Sequence, residues 1–230
     1  MKTAIVTGAS RGVGLAVAER LIAKGWQIVG LARDVGPLHR AKEQLGERFS
    51  FETVDLRDAQ SVRQVFERIG ARLGVFELLV NNAAVFKMKP FRECDDADID
   101  AMIDTNLKGP LRCTLAALKW MRAGSRIINV GSVAGTHGIE NQAIYCASKF
   151  GLEGFADALG QEVKMSGIAI TSICPGGIDT PLWNASNPYP GDLSQILQPA
   201  DVASLVEYVA ELPPHVVLKR AVVFPTNEWH

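Results

Sequence analysis

No two of the four cysteines, Cys94, Cys113, Cys146 and Cys174, are spaced as Cys-x-x-Cys, and no histidine stands at metal-ligand spacing from them. A disulfide framework and a zinc or other metal site are therefore not expected, and reduced thiols fit the cytoplasm. Neither sign of charge is in excess, since 24 Lys and Arg against 25 Asp and Glu leave a formal net charge of −1. Nothing in that balance draws the chain to a nucleic acid or to a membrane surface, so the expected partner is a small molecule. Long apolar runs are also missing. The opening Met-Lys-Thr-Ala-Ile-Val reaches Gly8 and Arg11 too soon for an export signal, and no segment is long enough to span a bilayer. No linker rich in Pro, Gly or Ser divides the 230 residues, a length that one α/β domain commonly reaches. Residues 1–230 read as one domain.

What the chain does contain is an alternation of short β-branched runs with longer amphipathic ones. Strands are predicted at Thr3–Thr7, Gln27–Leu31, Phe49–Asp55, Leu78–Asn81, Arg126–Val130, Ile168–Cys174 and Ala221–Phe224. Helices are predicted at Gly14–Lys24, Leu38–Arg48, Ala59–Leu73, Asp98–Arg122, Ile144–Met165 and Pro199–Glu211, where apolar residues recur at three- and four-residue spacing. Several strands are almost wholly apolar, which implies burial on both faces and a parallel sheet flanked by helices. The fold class is α/β, a doubly wound parallel sheet of about seven strands. Ligands of such sheets lie outside the carboxyl ends of the strands, near the point where strand order reverses.

Thr7-Gly8-Ala9-Ser10-Arg11-Gly12-Val13-Gly14 follows the first of those strands and opens the first helix. Glycine lets the backbone turn and approach a ligand, and the first N–H groups of the helix point at an anion. Gly8, Ser10, Arg11, Gly12, Val13 and Gly14 are thus expected to cradle the phosphates of a nucleotide.

Tyr145 and Lys149 are four apart on a predicted helix, so their side chains face one way and can meet at one substrate. Bringing a free tyrosine from ~10 to ~7 takes about 4 kcal/mol. One ammonium about 4 Å away supplies roughly that at an effective dielectric of ~20. Tyr145 is expected to exchange a proton with a carbonyl or alcohol oxygen during hydride transfer. Ser132, after the fifth strand, would stabilise charge on that oxygen.

The Gly8 loop, Asp55-Leu56, Asn81-Asn82-Ala83-Ala84, Asn106, Ser132, Tyr145-x-x-x-Lys149 and Pro175-Gly176 occur in the order of the short-chain dehydrogenase/reductase family, with Ser132 thirteen positions before Tyr145. The chain resembles that family over nearly its whole length. The resemblance implies a Rossmann-like fold and a reversible carbonyl reductase or alcohol dehydrogenase, with Asn106, Ser132, Tyr145 and Lys149 as catalytic residues. It also implies that Lys149 bonds the nicotinamide ribose and that Asn106 holds a water linking Lys149 to solvent. Asp55 and Leu56 would flank the adenine, with Asn82, Ala83 and Ala84 passing close by. Pro175, Gly176, Ile178 and Thr180 would meet the nicotinamide end.

Arg33 follows Ala32, where NAD-using relatives usually carry Asp, and Arg11 precedes the second glycine of the loop. An acidic residue there binds the ribose hydroxyl of NAD, whereas arginines accommodate the 2′-phosphate of NADP. NADP(H) is favoured over NAD(H), although Asp34 could reach the ribose instead. A lid over 181–198 carries Trp183 and Tyr189 and no Lys or Arg, which disfavours an acyl-carrier phosphopantetheine there. Phe86, Ala134, His137, Trp183 and Tyr189 are candidate substrate contacts, and a neutral, lipophilic or aromatic ketone is the leading substrate class. A homodimer or homotetramer is expected, with Leu152, Phe155 and Leu159 offering apolar contacts. Trp229 could pack at an interface, over the pocket, or belong to a disordered tail. The alternative function is a non-catalytic NADP-binding redox sensor, against which the presence of both Tyr145 and Lys149 argues. A longer sugar-nucleotide epimerase is disfavoured because only some 55 residues follow Pro175.

Overall fold

Seven parallel strands, β1 (Thr3–Thr7), β2 (Gln27–Ala32), β3 (Phe49–Thr53), β4 (Leu78–Asn81), β5 (Arg126–Val130), β6 (Ala169–Pro175) and β7 (Arg220–Val223), form one sheet ordered β3-β2-β1-β4-β5-β6-β7. The structure is a computed structural model and describes residues 1–228, so Trp229 lies outside the described residues. All pairings run parallel, from Thr7 beside Leu31 in β1 and β2 to Pro175 beside Val223 in β6 and β7. Order reverses between β1 and β4, which therefore open a crevice at their carboxyl ends.

Strands β1, β4, β5 and β6 are buried along their length, as their apolar runs require. Helices α1 (Gly12–Ala23), α2 (Val35–Leu45) and α7 (Pro199–Ala210) cover one face around Val17, Leu21, Leu38 and Val206. On the other face α3 (Ala59–Leu73), α5 (Gly109–Ala117) and α6 (Ala143–Val163) pack around Val65, Phe66, Ile127 and Leu159. Helix α4 (Asp96–Ile103) opens with a capping box in which Asp95 and Asp98 exchange backbone bonds.

The predicted helix over Asp98–Arg122 is interrupted. A π-helical turn at Asp104–Lys108 separates α4 from α5, and Pro110 follows at once. Proline lacks an N–H and its ring crowds the carbonyl four residues back, so the ladder widens there. Strand β3 ends at Thr53, short of Asp55, whose carboxylate instead accepts from the Arg57 backbone N–H at 2.9 Å and its guanidinium at 2.7 Å. The dimer contacts expected at Leu152 and Leu159 are corrected, because these side chains are 1% and 8% exposed and pack within their own chain. Among the described residues, no helix is long and apolar enough to cross a membrane.

Candidate active site

The loop between β1 and α1 takes the conformation its glycines permit. Gly8 and Gly12 have φ of +69° and +55°, the left-handed region that side chains resist. Gly14 faces inward, where a Cβ would overlap the Gly8 carbonyl. It shapes the loop without lining the cleft. Helix α1 starts without a side-chain cap or an acidic residue in its first turn, so its free N–H groups are open to an anion. Asn82 and Thr7 lock the crevice. The Thr7 hydroxyl accepts from the backbone N–H of Asn82 at 2.9 Å and of Ala83 at 3.0 Å, and the Asn82 amide donates to the Thr7 carbonyl at 2.9 Å.

A cleft of about 440 Å³ runs across the carboxyl ends of the strands. At one end it is lined by Gly8, Ser10, Arg11, Gly12 and Val13 from the loop, by Arg33 and Asp34 after β2, and by Asp55, Leu56, Asn82, Ala83 and Ala84 after β3 and β4. Among the described residues, no hydrogen bond or ion pair engages the Arg11 or Arg33 guanidinium. At the other end lie Ser132, Tyr145, Lys149, Pro175, Gly176, Ile178 and Thr180. An uncapped helix start beside two unpaired guanidiniums, at one end of an elongated cleft, fits a phosphorylated dinucleotide.

Ser132 caps the short turn after β5, its Oγ accepting from the Ala134 N–H at 3.1 Å, and its hydroxyl bonds the Tyr145 phenol. Tyr145 stands at the start of α6. Burial pushes its phenol up to about 12, and the Ser132 bond opposes that rise. Lys149, one turn on, is 2% exposed and donates to the Val130 carbonyl at 3.0 Å. Its Nζ lies 5.7 Å from the centre of the Tyr145 ring. Burial lowers its ammonium to about 8. Desolvation dominates both groups in this cleft, and the Lys149 ammonium is drawn to the backbone of β5.

Asn106 sits in the π turn, buried, and does not line the cleft. Its Oδ1 accepts from the Val85 N–H and its Nδ2 donates to the Val85 carbonyl, both at 2.8 Å. It therefore fixes the backbone that leaves β4, directly before Phe86. Phe86, Trp183 and Tyr189 form an aromatic wall that starts at Tyr145, with ring centres 4.7 Å apart for Phe86 and Tyr145, 5.0 Å for Phe86 and Trp183, and 4.9 Å for Trp183 and Tyr189.

Neither Ala134 nor His137 is among the residues that line this cleft, and Ala134, fully buried, cannot be the substrate contact expected of it. The turn at Val133–Gly135 carries Ala134 into the interior at 0% exposure, and His137 Nδ1 meets the Thr136 hydroxyl at 3.2 Å. Ile139, Gln142 and Met88 line it instead. Sequence reading also missed Glu228, which reaches the cleft from beyond β7. Its signal was topological, because a strand parallel to β6 must release its chain at the cleft side of the sheet.

The family model described as short chain dehydrogenase matches residues 2–190, and the chain belongs to that family of oxidoreductases. It is 37% identical over 189 residues to the 3-oxoacyl-(acyl-carrier-protein) reductase FabG of Vibrio harveyi, covering 81% of this chain and 77% of that protein. Among solved structures, the closed form of serine dehydrogenase complexed with NADP+ superposes with a TM-score of 0.89 at 27% identity, covering 99% of this chain and 96% of its own. A short chain dehydrogenase from Burkholderia cenocepacia J2315 in complex with NADP gives 0.84 at 28% identity over 96% of both chains.

Proposed function

We propose that this chain, read as one dinucleotide-binding domain over 1–230 with a lid over 181–198, is an NADPH-preferring carbonyl reductase that also runs in reverse as an alcohol dehydrogenase. The observation that carries this reading is the meeting of Ser132, Tyr145 and Lys149 at one end of a cleft whose other end presents the α1 N-terminus with Arg11 and Arg33. NADPH, when bound, supplies the hydride. Ser132 holds the carbonyl oxygen of the substrate and Tyr145 donates its phenolic proton to that oxygen as negative charge develops there. Lys149 would hold the nicotinamide ribose, and Asn106 positions the loop that brings Phe86 to the wall. The NADP-bound structural neighbours support the cofactor, as do two guanidiniums suited to a doubly charged phosphate. Phe86, Trp183 and Tyr189 suit a neutral lipophilic or aromatic ketone or aldehyde.

Fluorescence titration with NADPH and NADH, followed by a ketone panel read at the reduced nicotinamide band, tests this reading. Turnover is expected with NADPH. Arg33→Ala should weaken NADPH by roughly 1.5–3 kcal/mol, the worth of a charge-assisted contact, and leave NADH nearly unchanged. Equal losses for both cofactors would refute the phosphate role, and binding without turnover of any ketone would favour the redox sensor.

A further inference from the structure

The segment after β7 carries a carboxylate into the substrate end of the cleft. Strand β7 pairs with β6 so that Val223 lies beside Pro175, and the chain then turns through Pro225, whose carbonyl accepts from the Glu228 N–H at 3.0 Å. Glu228 Oε2 accepts from the Gly177 N–H at 2.9 Å. Its Oε1 accepts from the Tyr189 hydroxyl. The carboxylate is thus clasped between the turn after β6 and the lid, with its two oxygens fixed by two neutral donors.

Among the described residues Glu228 forms no ion pair, and the lid from 181 to 198 contains no Lys or Arg. Of the cationic residues that line the cleft, Arg11 and Arg33 stand at the nucleotide end, and Lys149 is turned to the Val130 carbonyl. Gly177 leaves room for this clasp, since a Cβ there would stand 2.8 Å from Glu228 Oε1. Burial, then the bond to Glu228 and its charge, push the Tyr189 phenol up to about 12, so it remains a donor to the carboxylate at every ordinary pH. The matched family region ends at residue 190, so Glu228 lies outside it.

We propose that Glu228 is a specificity-determining residue that gives the substrate end of the cleft a fixed negative charge, rejecting carbonyl substrates that carry a carboxylate and admitting neutral ones. A fixed charge of like sign discriminates by repulsion, and it acts most strongly where water is displaced by aromatic walls. The inference rests on the carbonyl-reductase reading but is tested apart from it.

The first readout is calorimetric binding of benzamide and benzoate, a neutral and an anionic probe of one shape, to the protein with NADP+. The second is kcat/KM for acetophenone and 4-acetylbenzoate. Wild-type protein is expected to favour the neutral member of each pair at least about tenfold. Glu228→Gln, which keeps the size and an acceptor oxygen, should cut that preference to about twofold. Tyr189→Phe removes the clasp but not the charge, so it should retain the preference. A preference unchanged in Glu228→Gln, abolished equally by Tyr189→Phe, or absent from wild type, including failure of both probes to bind, would overturn the inference. If no ketone turns over but the binding preference collapses in Glu228→Gln, the charge filter stands and the catalytic reading fails. Turnover with an unmoved preference has the opposite meaning.

Discussion

In the proposed reaction the protonation state of Tyr145 sets the pH dependence. Its phenol is pushed up to about 12 by burial. Burial also lowers the Lys149 ammonium, to about 8. A protonated phenol is the form that reduction needs, since it gives a proton to an oxygen that becomes far more basic as hydride arrives. Oxidation needs the phenolate. We therefore expect reduction to be flat from pH 6 to about 8, while alcohol oxidation rises through pH 10 without a plateau near 7. A plateau of the oxidation rate near pH 7 would show instead that the bound dinucleotide and Lys149 together restore a near-neutral phenol. In Tyr145→Phe the ring contact with Phe86 survives, so NADPH binding should persist while kcat falls at least ~10²-fold.

At the scale of elements, the segment 181–198 proposed as a lid is held by bonds at both its base and its middle. Leu197 donates to the Gly177 carbonyl at 3.1 Å and Asp179 donates to Leu197 at 2.8 Å, which joins the lid's far end to the turn after β6. Asn187, 5% exposed, accepts from the Met88 N–H at 2.9 Å and donates to the Leu182 carbonyl at 3.0 Å. These anchors leave Trp183 free to serve as wall. Trp183→Ala should accordingly raise KM for bulky aryl ketones several-fold more than for short aliphatic ones, which bury less area, with NADPH affinity little changed. A uniform activity loss together with a lower melting temperature would identify Trp183 as a packing anchor.

The same elements show why some of the site was legible and some was not. Ser132, Tyr145 and Lys149 could be placed because each depends on one local rule, a residue after a strand end or two residues a helical turn apart. Ala134 could not, because a Ser132-capped turn of three residues reverses its direction into the core. Helix spacing joined 98 to 122 in one unbroken helix and gave no warning of the π turn, where Pro110 stands against the carbonyl four residues back. The phenol's shift depends on depth of burial, which spacing does not report. Glu228 required knowing that β7 lies beside β6, a contact between segments with no shared local pattern.

At the scale of the whole molecule, the cleft lies across the reversal of strand order. Arg11, Arg33 and Asp55 belong to the half built on β1, β2 and β3, whereas Ser132, Tyr145 and Pro175 belong to the half built on β5 and β6. A dinucleotide reaching from one set to the other ties both halves, and one that binds only the folded chain stabilises it by mass action, about 2.7 kcal/mol at a hundred times Kd. For a chain of 230 residues each kcal/mol moves the melting temperature by about 2–4 °C. Saturating NADPH should therefore raise it by roughly 5–10 °C in thermal-shift measurements. At equal concentration NADH should raise it less, because it offers nothing to the Arg11 and Arg33 guanidiniums, and Arg33→Ala should narrow the difference between the two cofactors. Equal shifts with NADH and NADPH in the wild-type protein would mean that Asp34, at the same end of the cleft, governs the ribose and that the arginines face solvent.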